Sequence, residues 1–169
     1  SELAARGWQT GAVVGNWVLR RESGVARGFD HFDHRFPDQE AVRHWPERGA
    51  VATTDAAIEL VKGCTAVPGA RCLVWAHYQA PHGPYDPPEW LLSSNKPDIR
   101  SHLANAKNFQ HAAPFPFGQR PYVTPSIRAQ VVELYDGEIR YVDREIGHLI
   151  EFLKSIGKLD STDWLVITS

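Results

Sequence analysis

The densest group of chemistry-bearing side chains is the run His77-Tyr78-Gln79-Ala80-Pro81-His82-Gly83-Pro84-Tyr85. Pro81 and Pro84 stand on either side of His82 and restrict the backbone around it. An imidazole held in this way can donate a proton to a leaving group or bind an oxyanion. The competing reading is a proline-rich turn carrying an exposed histidine.

A second group, Asp30-His31-Phe32-Asp33-His34, places two acids and two histidines within five residues. Such a cluster suits a divalent metal, but its spacing matches no established zinc pattern. A hydrogen-bonded structural loop is therefore the expectation. The acid-rich stretch from Tyr135 to Glu145 reads as the solvated side of a helix, with charge pairs three and four residues apart. Within it, Asp143 adjoins the apolar side and is expected to anchor the helix. The sequence contains no nucleophile elbow, phosphate-cradling glycine loop or zinc-protease helix.

These residues need elements to position them. Ser1 to Arg6 reads as the end of a helix stopped by Gly7. The apolar run Thr10 to Gly15 predicts a buried strand. Polar and irregular sequence follows, through Pro37 and Pro46. Thr53-Thr54-Asp55 looks like a helix start, continued by apolar residues at helical spacing as far as Gly63. Arg71 to Tyr78 is continuous and apolar, as in parallel strands buried on both faces. Residues 79 to 125 have no sustained period; a loop of this length is usually functional or a lid. From Pro125 to Ile156, Ile127, Val131, Tyr135, Ile139, Val142, Ile146, Leu149, Leu153 and Ile156 form one helical stripe, stopped by Gly157. Trp164 to Thr168 predicts a final strand. The alternation implies an α/β fold with a mostly parallel sheet sandwiched by helices. Ligands of such sheets lie beyond the carboxyl ends of the strands, which points to Asn16-Trp17 and to the loop from Gln79 to Pro88.

The composition suits one domain: 169 residues, 43% hydrophobic and 22% charged, with a formal net charge of −2. The 18 Lys+Arg and 20 Asp+Glu are interspersed, which argues against a nucleic-acid partner. No stretch approaches the roughly 18 apolar residues of a membrane span. The two cysteines, Cys64 and Cys72, read as structural thiols, with a bridge between them left open. Methionine is absent, and the ends read as an interrupted helix and an interrupted strand. The expectation is an internal fragment, truncated at both ends.

Five segments, in order, resemble the sulfatase family of the alkaline-phosphatase-like superfamily. Gly7-Trp8-Gln9-Thr10 looks like the family's G-Y-x-T strand, and Gly28-Phe29-Asp30-His31-Phe32 is similar to G-F-D-x-F. Pro81-His82-Gly83-Pro84-Tyr85 resembles P-H-x-P-Y. Tyr135 to Gly147 is similar to Y-x-x-x-I-x-x-x-D-x-x-I-G, and Asp160 to Ser169 to D-N-T-x-V-V-F-T-S.

The resemblance implies hydrolysis of sulfate esters by a formylglycine, made by a formylglycine-generating enzyme, together with calcium or another divalent metal. His82 is then the catalytic residue that assists the leaving alcohol. Asn16, His77 and Tyr85 are the expected substrate contacts, and the loop bearing Trp90, His102, His111 and Arg120 helps to shape the pocket. The partner is a small-molecule or glycan sulfate ester. Residues 1–169 would form a partial catalytic domain, lacking the upstream nucleophile and metal motifs and the metal-ligand segment that follows T-S in the family. Neither cysteine stands in the C/S-x-P-S/A-R nucleophile motif, no metal ligand is assigned, and the isolated fragment is expected to be inactive. Gly15-Asn16-Trp17-Val18 replaces the family's G-K-W-H, so the lysine and histidine that bind sulfate are missing. Alternatives are a phosphatase, phosphodiesterase or phosphoryl transferase of the same superfamily, or a non-catalytic glycan-binding relative.

Overall fold

The computed structural model describes residues 2–40, 44–92 and 125–169. A single turn of helix, α1 (Glu2–Ala5), is closed by Gly7 at φ +77°, with the Gly7 N–H donating to the Ala4 carbonyl at 3.0 Å. That left-handed turn is open to glycine without steric cost, and it leads into β1 (Trp8–Val14).

β1 is the centre of a three-stranded sheet of order β2-β1-β5, with β2 (His31–Asp33) and β5 (Arg71–His77) both parallel to it. The register pairs Ala12 with Phe32 on one side and with Trp75 on the other. Thr10, Ala12 and Val14 therefore share a face with Trp75 and His77, because alternate side chains point the same way. Ala12, Val14, Ala26 and Phe32 form the buried core there, and Leu19, Val25, Phe29 and Phe36 pack against it. The opposite face receives α2 (Ala50–Thr65). A Cβ on Gly11 would lie 3.0 Å from Leu60 Cδ1, so the missing side chain lets this helix sit close to the strand.

α2 starts three residues earlier than Thr53. Gly49 is its N-cap, and its N–H donates to Asp38 Oδ2 at 3.2 Å. Thr53 is not a cap: it is fully buried, and its hydroxyl donates to the Gly49 carbonyl one turn back. A short antiparallel ribbon, β3 (Asp38–Gln39) with β4 (Pro46–Glu47), precedes the helix. The two cysteines are not free thiols. Cys64, near the end of α2, and Cys72, on the α2 face of β5, are joined in a disulfide with Cα atoms 6.1 Å apart. Spacing alone left this open, because the helix end and the strand start meet only after α2 folds back onto the sheet.

The long helix α3 (Pro125–Ser155) ends as expected at Gly157, φ +70°. The Lys158 N–H donates to the Leu153 carbonyl at 2.8 Å, and the Gly157 N–H to that of Lys154 at 3.0 Å. Its buried face differs from the expected stripe. Val131, Tyr135 and Ile139 are exposed, whereas Leu134, Glu138 and Glu145 are buried. The acid-rich segment is thus not simply a solvated face, and Asp143 is exposed, not an anchor. Helical periodicity ranks faces by apolarity; here the face is selected by polar contacts to α2 and by the loop after β5.

Two strand expectations also change. β5 is only partly buried, with Leu73 38% exposed, because it is the edge of the sheet among the described residues. Residues 164–169 do not form a strand: Trp164 and Val166 are largely exposed, and no described strand pairs with them. A strand exists through its ladder of backbone hydrogen bonds, which an apolar run cannot make alone.

Candidate active site

The site is built where three chain segments converge on Gly15, just past the carboxyl end of β1. Its N–H donates to the His77 carbonyl at 2.9 Å, and its carbonyl accepts the Arg48 N–H at 3.0 Å. A Cβ at Gly15 would lie 3.0 Å from both the Gln79 nitrogen and the His77 oxygen. Only a residue without a side chain lets these backbones meet so closely. Asn16 follows, its Oδ1 accepting the Val18 N–H at 2.7 Å and its Nδ2 donating to Gln79 Oε1 at 2.6 Å. The two predicted places beyond β1 and β5 are therefore joined by a direct side-chain contact.

Beside them lies a cleft of about 200 Å³. Gln79, His82 and Asp86 from the loop after β5 line it, with Arg48 from the segment before α2 and Glu138 and Tyr141 from α3. His82 is exposed to the cleft. Its backbone N–H donates to the Gln79 carbonyl at 3.0 Å, and Nδ1 lies 2.6 Å from the Gly83 carbonyl oxygen. With Nδ1–H donating there, Nε2 is left for a substrate. The peptide bonds before Pro81 and Pro84 are both cis.

The loop is held on α3 by contacts beyond His82. The Asp86 N–H donates to Glu138 Oε1 at 2.8 Å, Arg140 Nη2 donates to the Leu91 carbonyl at 2.9 Å, and Arg144 lies over the Trp90 ring at 4.4 Å. Tyr85, an expected substrate contact, packs edge-on against Tyr135, ring centroids 5.4 Å apart. His77 points to the core side, edge-on to Trp75, with Nδ1 buried and, among the described residues, without a hydrogen-bond partner. Burial pushes its imidazole below the ordinary value, toward the neutral form. None of Asn16, Tyr85 and His77 lines the cleft itself, although Asn16 bonds to Gln79, which does. His102, His111 and Arg120 lie outside the described residues.

The Asp30–His34 cluster is not the expected loop: His31–Asp33 form β2, paired with β1, and the two acids are taken up by hydrogen bonds and ion pairs. Asp30 Oδ2 accepts both the N–H and the hydroxyl of Thr10 at 2.9 Å, which holds its carboxyl below the usual range. Asp33 pairs with the buried Arg48 and with Arg35, which hold it ionised despite partial burial. Among the described residues no three His, Cys, Asp or Glu side chains converge as a metal cage, and both cysteines are committed to the disulfide. The residues described thus do not fit calcium or formylglycine.

Sequence reasoning placed Gln79 in the right loop without giving it a role, and missed Arg48 and Glu138. Arg48 carries no local signal, since it matters through a partner far along the chain. Glu138 had one: a carboxylate three residues from Tyr135 and Tyr141, on a helix whose expected apolar stripe left it outside.

A parallel sheet with helices and a polar cleft past its carboxyl edge define an α/β domain. The sulfatase family model matches residues 2–169, and the chain belongs to that family. Among solved structures it is similar to the lipoteichoic acid synthase LtaP from Listeria monocytogenes, at 17% identity and a TM-score of 0.57, over 92% of this chain and 32% of that one. It is also similar to BT4656, solved in complex with its substrate D-glucosamine-2-N,6-O-disulfate, at 21% identity and a TM-score of 0.53, over 94% of this chain and 46% of that one. The chain therefore spans less than half the length of either structure. No curated protein matches the sequence. No described helix is long and apolar enough to cross a membrane.

Proposed function

We propose that this chain forms one wall of the active site of a sulfuric ester hydrolase, with His82 as the acid that protonates the leaving alcohol. The observation that carries the reading is the placement of His82. It lines the cleft beyond β5, with Nδ1 against the Gly83 carbonyl and the loop clamped to α3. With both ring nitrogens protonated, Nδ1–H donation to that carbonyl orients the ring and Nε2–H transfers its proton to the departing ester oxygen, leaving the neutral Nδ1–H tautomer. Gln79, oriented by Asn16, is a polar contact for the substrate, while His77 and Tyr85 support the walls through Trp75 and Tyr135. The nucleophile and the metal belong, in this reading, to segments outside the chain, and no step is derived through them. The substrate is a small-molecule or glycan sulfate ester.

The test uses the complete protein carrying this chain, expressed with a formylglycine-generating enzyme and assayed with calcium. His82→Ala should slow alkyl sulfates, which have poor leaving groups, about 10²–10⁴-fold, but activated aryl sulfates far less. An equal loss on both would remove the acid role. Phosphoryl chemistry is the second reading, favoured by the fold shared with a lipoteichoic acid synthase. Preferred turnover of 4-nitrophenyl phosphate over the matched sulfate would establish it.

A further inference from the structure

Glu138 is a buried carboxyl of the cleft whose part in holding the His82 loop uses only one of its two oxygens. It is 7% exposed, and Oε1 accepts the Asp86 N–H. The side chain lines the same cleft as His82, and Oε1 is the oxygen that holds the loop. We propose that Glu138 is a substrate-binding carboxylic acid, which uses Oε2–H to donate a hydrogen bond to an acceptor oxygen of the bound ester. The proposal rests on the ester-hydrolase reading and adds to it a donor that sequence comparison with the family's motifs did not single out.

The surroundings favour the neutral acid. Asp86 from the loop and Glu47 from β4 place negative charge near it, and Asp38 from β3 lines the same cleft. The cation of the cleft wall, Arg48, is paired with Asp33. His82 and Tyr141 complete the titratable groups that line the cleft. Burial and the neighbouring carboxylates push Glu138 up to about 7, despite the Asp86 N–H bond that favours the anion. Ionisation would replace a donor by a fourth negative charge facing an anionic ester. Binding is then limited to the protonated fraction.

Two measurements on the complete protein test this. With 4-nitrophenyl sulfate, whose activated leaving group needs little acid assistance, KM should rise about tenfold between pH 6 and 8 while kcat changes much less. Glu138→Gln, which retains an N–H donor and an oxygen acceptor, should flatten that KM profile. Glu138→Ala should raise KM across the range. An unchanged rise in KM in the glutamine variant would overturn the proposal. The second measurement needs no turnover: with 13C-labelled glutamate, the carboxyl resonance absent from Glu138→Gln should titrate near pH 7. Saturating 4-nitrophenyl sulfate should move that midpoint upward. A midpoint below 5, or one indifferent to the ester, would refute the assignment. Absence of turnover on both sulfate and phosphate esters would count against the hydrolase reading alone, because the resonance still reports on Glu138.

Discussion

Gly137 is the position where a single methyl group should test how α3 positions the His82 loop. A Cβ built there would lie 2.7 Å from Pro87 Cγ, 3.0 Å from Pro87 Cβ and 3.2 Å from Leu92 Cδ2. Ordinary contact begins near 3.4 Å, so the loop must retreat by about 0.7 Å from the helix. Pro87 is buried and its ring is stiff, so the strain falls on the backbone that runs back to His82. Ala should gain about 1 kcal/mol of helix propensity and lose about 1–3 kcal/mol to overpacking. Gly147 is the matched control: it lies in the same helix, and a Cβ there meets nothing within 4 Å. Gly147→Ala should therefore raise stability by about 1 kcal/mol, and Gly137→Ala should fall below that variant by about 1–3 kcal/mol. Urea unfolding of the two variants measures the difference directly. In the complete protein, the displaced loop should also lower kcat/KM, since misplacement of about 1 Å can cost about a hundredfold. Equal stabilisation by the two alanines, with activity intact, would refute the close contact and its role in placing His82.

Other outcomes follow from the same contacts. Arg48→Met leaves Asp33, 13% exposed, with the exposed Arg35 as its remaining ion pair among the described residues; a loss of about 3 kcal/mol at pH 7 is expected by denaturant titration. The depressed Asp33 contributes stability above the ordinary carboxylate range and loses it as pH falls below about 4, so the Arg48→Met defect should shrink in acid. Glu138 has the opposite sign: its folded-state value is raised, so wild-type stability should fall as pH rises from about 4.5 to 7. Glu138→Gln should remove that slope, worth up to about 3 kcal/mol, as melting temperatures across this range would show. Reducing the Cys64–Cys72 bridge, which closes a loop of sequence separation 8, should cost about 2–3 kcal/mol. A melting temperature unchanged by reductant would contradict that value.

Much of the architecture is legible in local sequence because its signals are short-range. Gly7 and Gly157 end helices at left-handed turns, and the apolar run around Ala12 and Val14 is a strand under any packing. The parallel order of β1 and β5 follows from the helix between them, and the two candidate places past their ends are the ones the fold brings together through Asn16 and Gln79. The tertiary structure decided what depends on distant partners. Thr53 could serve as a cap or as an interior residue, and the Gly49–Asp38 contact settles it as interior. The segment at 164–169 has strand composition but no ladder, because backbone pairing needs a neighbour that composition cannot supply. Glu138 is the clearest case: by type it belongs in water, yet the Asp86 N–H, 52 residues away in sequence, and the packing of α3 hold it in the cleft. Burial and ionisation are properties of surroundings, and those surroundings exist only once the chain has folded.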